Sequence, residues 1–78
     1  MTESLLRPLE LICPPLPEHE CEIAIVEDLA RGDFTASAQV WPKQGGRQAV
    51  EHIAMPDRFE TAKQAEYTAV MRVKERFG

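Results

Sequence analysis

The stretch 34–41 limits most strongly what this chain can fold into. Its residues alternate between apolar and polar side chains, which is the period of a β-strand with one buried face. Gly32 precedes the stretch and Pro42 follows it, so turn-forming residues bound it on both sides. We therefore predict that 34–41 is the middle strand of a small antiparallel sheet. Its inward-facing residues are expected to be Phe34, Ala36, Ala38 and Val40.

Two further strands are predicted, one on each side of this stretch. Residues 21–28 are rich in β-branched side chains such as Ile23 and Ile25, which favour a strand. Residues 47–55 are predicted to form the third strand. Apolar and polar residues do not alternate regularly in this segment. A strand at these positions therefore requires either a bulge or burial of both of its faces.

The C-terminal segment carries the best local signal for a helix. Thr61 and Gln64 have the spacing of a capping box, in which two side chains bond free backbone N–H groups at the start of a helix. No Gly or Pro follows before the end of the predicted helix, 62–77. We expect this helix to pack on one face of the sheet through an alanine-rich side. That side comprises Ala62, Ala65, Ala69, Val70, Val73 and Phe77.

Residues 1–20 are predicted to form an extended, proline-containing N-terminal arm. Four prolines prevent a long helix and leave at most a helical turn over 2–7. A short extended piece is expected at 9–13 and a polyproline II segment at 14–17. The arm either covers an edge or a face of its own sheet, or packs on a partner or a second copy. The first alternative is favoured, because a small core needs cover.

The core, residues 21–78, therefore follows a β-β-β-α order, and the chain is predicted to be one α+β domain with a three-stranded meander. Phe59, followed by the T-x-x-Q-A pattern that starts at Thr61, resembles several small bacterial families of unknown function. This resemblance implies the β-β-β-α fold. The order is also similar to the double-stranded RNA-binding domain, which implies RNA binding. The chain departs from that family by lacking its first helix and its lysine cluster, where only Lys63 stands.

The charge is small and unevenly distributed. A net charge of −4 argues against nonspecific binding to a phosphate backbone. Residues 1–33 contain eight acids and two bases, whereas residues 34–78 contain five acids and seven bases. The basic half supports nucleic-acid binding as an alternative function. The bases that would carry this function are Lys43, Arg47, Arg72, Lys74 and Arg76.

Cys13, His19 and Cys21 suggest a small metal or thiol site as a second alternative. Their spacing differs from that of compact zinc loops, whose paired ligands lie two to four residues apart. No metal or cofactor is therefore assigned, and Cys21 is expected to be a small buried hydrophobic residue. The pair Gly45-Gly46 lacks the Lys and Ser/Thr of a phosphate-binding loop. We predict no catalytic residue and no enzymatic activity.

A cytoplasmic location is expected from the apolar pattern. No run approaches the roughly 18 apolar residues that a membrane span requires. Residues 1–3 lack the positive charge of a secretory leader. Membrane contact is therefore not expected, and the cysteines should stay reduced.

Protein–protein interaction is the function that the sequence favours. A chain of 78 residues buries only about 60–65% of the surface that its unfolded form exposes, so association often adds stability. Apolar residues outside the core pattern would form the contact, among them Trp41 on the polar side of the middle strand. We expect an accessory or self-associating module that binds a protein partner or a second copy, with no small-molecule substrate. The predicted interface residues are Leu5, Leu9, Leu11, Trp41, Tyr67 and Met71.

Overall fold

The chain folds into one antiparallel sheet followed by a C-terminal helix. The computed structural model describes residues 5–78. Its elements are β1 (Leu6–Ile12), β2 (His19–Asp28), β3 (Asp33–Pro42), a short 3₁₀ helix (Gly46–Ala49), β4 (Glu51–Ile53) and α1 (Ala62–Phe77). The strands neighbour one another in chain order, so β1 and β4 form the two edges. The predicted α+β class is confirmed.

The hairpin of β2 and β3 is the centre of the sheet. The two strands pair without interruption from His19, opposite Pro42, to Asp28, opposite Asp33. Gly32 closes the connecting turn with a φ of 72°, which a residue with a Cβ rarely adopts. The predicted strands at 21–28 and 34–41 are confirmed. The first is longer by two residues at its start, and the second is longer by one residue at each end.

Residues 6–12 of the predicted arm cover an edge of their own sheet, as the favoured alternative for the arm predicts. They do so as a fourth strand, so the prediction of a three-stranded sheet is wrong in this detail. β1 pairs antiparallel with β2, from Leu6 opposite Asp28 to Ile12 opposite Ile23. The strand tolerates Pro8 because it lies at an edge, where one side of the backbone needs no ladder hydrogen bond. The predicted helical turn over 2–7 lies partly outside the described residues, and its last two residues are extended.

The third predicted strand, 47–55, is wrong in most of its length. Its first residues belong to the 3₁₀ helix, and only Glu51–Ile53 pair with β3. The poor alternation of this segment agrees with that result, since Val50 is exposed instead of facing the core. The segment then meets β3 again at Phe59, which exchanges two backbone hydrogen bonds of 2.8 and 2.9 Å with Phe34.

The helix is confirmed at its predicted bounds. The Thr61 hydroxyl accepts a hydrogen bond from the backbone N–H of Gln64, at 3.1 Å. The Gln64 amide oxygen accepts from the backbone N–H of Glu60, also at 3.1 Å, one residue earlier than in the standard capping box. Among the described residues, no helix is long and apolar enough to cross a membrane.

The core lies between α1 and one face of the sheet, which we call the helix face. Ala65, Ala69 and Val73 are fully buried there. They pack against buried residues of β2 and β3, because small side chains on both sides let the helix approach closely. The sheet residues in this core are Cys21, Ile23, Ile25, Ala36, Ala38 and Val40. Within residues 5–78, no α-helix lies over the opposite face of the sheet, which we call the open face.

Candidate interaction surface

A β-bulge in β1 controls which of its side chains reach the open face. The pairing with β2 shifts between Pro8 and Glu10, so Leu9 is an extra residue in the strand. Directly opposed residues of antiparallel strands point to the same face. Leu6 opposes Asp28 and Leu11 opposes Ala24, and both partners lie on the open face. Leu6 and Leu11 therefore share a face although they are five residues apart.

The result is an exposed apolar surface along an edge of the sheet. Leu11 is 67% exposed, Leu6 56% and Leu9 39%. On the open face, Ala24 of β2 lies half-buried opposite Leu11, and Val26 lies half-buried opposite Pro8. We call Leu6, Leu9, Leu11, Ala24 and Val26 the β1 surface. Contiguous exposed apolar side chains next to a sheet edge are typical of protein-interaction sites.

Leu5 and Leu29 extend the apolar character of this end of the sheet. The backbone N–H of Leu29 donates to the carbonyl of Leu5 at 2.8 Å, which holds the turn after β2 beside the start of β1. Both side chains are about half exposed. Two of the predicted interface residues, Leu9 and Leu11, thus belong to the β1 surface and a third, Leu5, lies next to it.

Trp41 is not part of an exposed apolar surface, contrary to the prediction. It lies on the open face as its position in the alternation indicates, but it is only 7% exposed. The guanidinium of Arg47 lies over its ring, 4.2 Å from the centroid, and is held there by an ion pair with Glu22 at 2.9 Å. Trp41 also lines a cavity of about 380 Å³ together with the connection after β1, which includes Pro14.

Tyr67 and Met71 are exposed, as predicted, but they lie on α1 and not on the open face. Tyr67 is 69% exposed and lines an apolar hollow between α1 and the end of β1, with Ile12 on the other side. Since α1 covers the helix face, its side chains and those of the open face belong to different layers. The six predicted interface residues therefore do not form one surface.

Most of the bases that were candidates for nucleic-acid binding are engaged with carboxylates. Arg47 is paired with Glu22, and two bases of α1 are paired with acids from the segment before it. These two pairs are Arg72 with Asp57 and Arg76 with Glu51. A phosphate backbone would have to compete with these carboxylates. The alternative of nucleic-acid binding stays a prediction, and the arrangement of charges does not favour it.

Cys13, His19 and Cys21 all line the cavity that Trp41 also lines. Cys21 is buried, and its thiol donates to the carbonyl of Pro14 at 3.7 Å. His19 packs its ring against Phe77, with 4.8 Å between centroids. Among residues 5–78, no group of three His, Cys, Asp or Glu side chains is placed to hold a metal ion. Burial, and secondly the neighbouring Cys13, raise the pKa of the Cys21 thiol, so its reactive thiolate is disfavoured.

No protein-family model, no curated protein and no solved structure matches the chain. The two resemblances stated from the sequence therefore stay untested. The geometry of the described residues carries the functional argument alone.

Sequence reasoning missed Leu6, which is one of the two most exposed leucines of the β1 surface. In a strand with regular alternation, positions 6 and 11 lie on opposite faces. The sequence alone therefore does not indicate that Leu6 and Leu11 share a face, because this depends on the bulge. The proline at position 8 was the available signal, because prolines in strands are confined to edges and irregularities.

Proposed function

We propose that this protein is a non-enzymatic interaction module that binds another protein chain, and associates with itself, through the β1 surface. The observation that carries this proposal is the exposure of Leu6, Leu9 and Leu11 along an edge strand. An edge strand offers backbone hydrogen-bonding groups, and the leucines offer apolar area to be buried with them. A cytoplasmic location is part of the proposal, because no run in the sequence approaches the roughly 18 apolar residues of a membrane span.

The size of the domain supports the proposal. A small chain gains proportionally more from burying an additional apolar surface than a large one does. Among residues 5–78, only a few large side chains, such as Ile23 and Val73, are fully buried. Of the twelve buried apolar residues in this range, two come from segments outside β2, β3 and α1. Those two are Leu16 and Met55.

Analytical ultracentrifugation of the wild-type chain and of two lysine variants tests the proposal. The wild type should sediment above the mass of one 8.8 kDa chain at micromolar concentration. Leu11→Lys should shift the equilibrium to the monomer. Met71→Lys, which introduces the same charge at an exposed apolar residue of α1, should leave it unchanged.

Both lysine variants should keep the stability of the wild type within about 0.5 kcal/mol, because the replaced side chains are exposed. Circular dichroism checks this. A wild type that stays monomeric up to high concentration overturns self-association. A dimer that responds to Met71→Lys but not to Leu11→Lys would assign the contact to α1 instead of the β1 surface.

A further inference from the structure

Two acidic residues of β2 neighbour Trp41 on the open face. Glu20 is directly opposite Trp41 in the pairing of β2 with β3, and Glu22 follows two residues later on the same face of β2. Glu22 forms an ion pair with Arg47. Glu20 is exposed, and within residues 5–78 no cation pairs with it. The acids beside the indole therefore outnumber the bases that the chain pairs with them.

A cavity of about 380 Å³ lies beside these residues. Trp41, Glu20 and Glu22 line it, and the connection after β1 contributes Pro14 and Pro15. A space of this volume lies within the range of ligand-binding pockets. The face of an indole ring attracts cations, and neighbouring carboxylates add to this attraction. The lining of the cavity is thus suited to a positively charged group.

Arg47 shows which kind of cation fits this site. Its guanidinium carbon lies 4.2 Å from the centroid of the Trp41 ring, while one of its nitrogens pairs with Glu22 at 2.9 Å. A planar guanidinium can stack on a ring and bond a carboxylate at the same time, whereas an ammonium group acts as a compact point charge. The site therefore already holds a guanidinium, which the chain itself supplies.

The segment that carries Arg47 is weakly anchored. Residues 43–50 are all exposed, and the 3₁₀ helix Gly46–Ala49 contains no buried residue. Segments with few buried apolar contacts open at a low cost in free energy. The side chain of Arg47 is itself 60% exposed, so its guanidinium can leave the ring while the strands stay paired.

We propose that Trp41, Glu20 and Glu22 form a receptor site for an arginine side chain of a partner protein, and that Arg47 is an internal occupant which this arginine displaces. When Arg47 leaves, the two acids outnumber Lys43, the other Lys or Arg that lines the cavity. The emptied site is then net negative and attracts a cation. This site goes beyond the proposed function, because it does not use the β1 surface.

Arg47 also sets how tightly the site binds an external arginine. A competitor in the same chain is present at a high effective concentration, so it lowers the apparent affinity for a free guanidinium. Arg47→Ala removes this competitor and leaves the ring and the two acids in place. The variant should therefore bind an external arginine more tightly than the wild type does.

Titration of tryptophan fluorescence tests the site, because Trp41 is the only tryptophan of the chain. The probe is Nα-acetyl-arginine amide. The matched control is Nα-acetyl-citrulline amide, which has a similar shape without the charge. In Arg47→Ala the arginine probe should shift the emission toward the blue and bind about tenfold more tightly than it binds the wild type. The citrulline probe should cause no saturable shift, and equal binding of the two probes contradicts the proposal.

Variants of the two acids identify the groups that hold the probe. In the Arg47→Ala background, Glu20→Gln and Glu22→Gln should each weaken binding of the arginine probe about threefold or more at low salt. Glu75→Gln, at an exposed acid of α1, should leave binding unchanged. Binding that is insensitive to both Glu20→Gln and Glu22→Gln overturns the assignment of the site.

Nuclear magnetic resonance of the wild type provides a measurement that does not depend on variants that fold. The indole N–H signal of Trp41 and the side-chain N–H signal of Arg47 should both move when the arginine probe is added, and not when the citrulline probe is added. Leu11→Lys, which alters the β1 surface, should respond like the wild type. Absence of arginine binding in both the wild type and Arg47→Ala overturns this proposal, while the sedimentation result for the β1 surface stands on its own.

Discussion

Arg47 covers Trp41, the only tryptophan of the chain, with its guanidinium carbon 4.2 Å from the ring centroid. The contact buries an indole on the open face, which no α-helix covers in the part of the chain that the structure describes. Arg47 itself is well exposed, so the arrangement lets a charged side chain shield a large apolar one. This relationship is the reason that Trp41 does not add to the exposed apolar surface.

Removing this cover should be visible in the fluorescence of Trp41. Arg47→Ala exposes the ring, so we expect a red-shifted emission, stronger quenching by acrylamide and a loss of about 0.5–1 kcal/mol in the free energy of unfolding. Arg47→Lys keeps the charge but loses the planar stack and should be intermediate. Arg31→Ala, at an exposed base in the turn after β2, is the control. An unchanged spectrum in Arg47→Ala would show that other residues cover the ring.

A second prediction concerns stability at low pH. Arg58 donates to both carboxylate oxygens of Asp33, at 2.6 and 2.8 Å, and this bond holds the pKa of Asp33 below its ordinary value of 3.8. Because the folded-state pKa is the lower one, the ionised carboxylate stabilises the fold above about pH 3.8, and this contribution is lost as the pH falls through the folded-state pKa.

Asp33→Asn should therefore be less stable than the wild type at pH 5–7, and the difference should shrink below pH 4. Urea unfolding at a series of pH values measures it. Arg58→Gln should be destabilised in the same pH range, because it removes the partner of Asp33, and it also removes the ion pair between Arg58 and Asp28. The prediction is contradicted if the difference in unfolding free energy between the wild type and Asp33→Asn stays constant from pH 7 to pH 2.

A third prediction concerns a carboxyl group whose contribution to stability has the opposite pH dependence. Glu66 raises the pKa of Glu10 above its ordinary value of 4.5. The folded chain therefore binds this proton more tightly than the unfolded chain does, so the associated stability is present at low pH and is lost as the pH rises through the folded-state pKa. Glu66→Gln removes the acidic neighbour.

At pH 7, in dilute solution, Glu66→Gln should be more stable than the wild type. The gain should fade as the pH approaches 4.5. Glu75→Gln, at an exposed acid of the same helix, should show no such gain. Chemical denaturation of the wild type and the two variants at pH 4.5 and pH 7 tests this prediction. Equal stability of Glu66→Gln and the wild type at both pH values contradicts it.

A fourth prediction addresses the packing of the helix on the sheet. Ala38 is 2% exposed and lies in the same core as Ala65 and Ala69. Ala38→Leu adds three carbons where neighbouring residues are already in contact, so it should cost about 1–3 kcal/mol of unfolding free energy. Ser37→Leu adds a leucine to the open face of the same strand and should change stability by about 0.5 kcal/mol or less. Similar costs for the two variants would mean that the core has room at position 38.

The parts of the fold that depend on neighbours in sequence were predictable. The helix was found at its bounds because Thr61 and Gln64 form local hydrogen bonds, which short-range spacing reveals. The strand 34–41 was predictable because apolar and polar side chains alternate along it from Phe34 to Val40. Burial of Cys21 followed from the same alternation in β2 and is confirmed.

The candidate surface was only half predictable. Leu9 and Leu11 were identified as exposed apolar residues, but Leu6 was not, because the bulge that brings it beside Leu11 appears only in the pairing with β2. Arg47 lies above Trp41 only after the short 3₁₀ helix has turned the chain back over β3. No spacing in the sequence signals that contact.

The sequence by itself determined the two central strands, the helix and the alanine-rich packing between them, since these follow from periodicity and from hydrogen bonds between near neighbours. Only the tertiary structure decided that residues 6–12 complete the sheet, because an edge strand forms when its backbone groups meet the free edge of a partner distant in the chain. That long-range pairing also introduces the bulge, and the bulge decides which leucines and which charges the edge of the sheet presents.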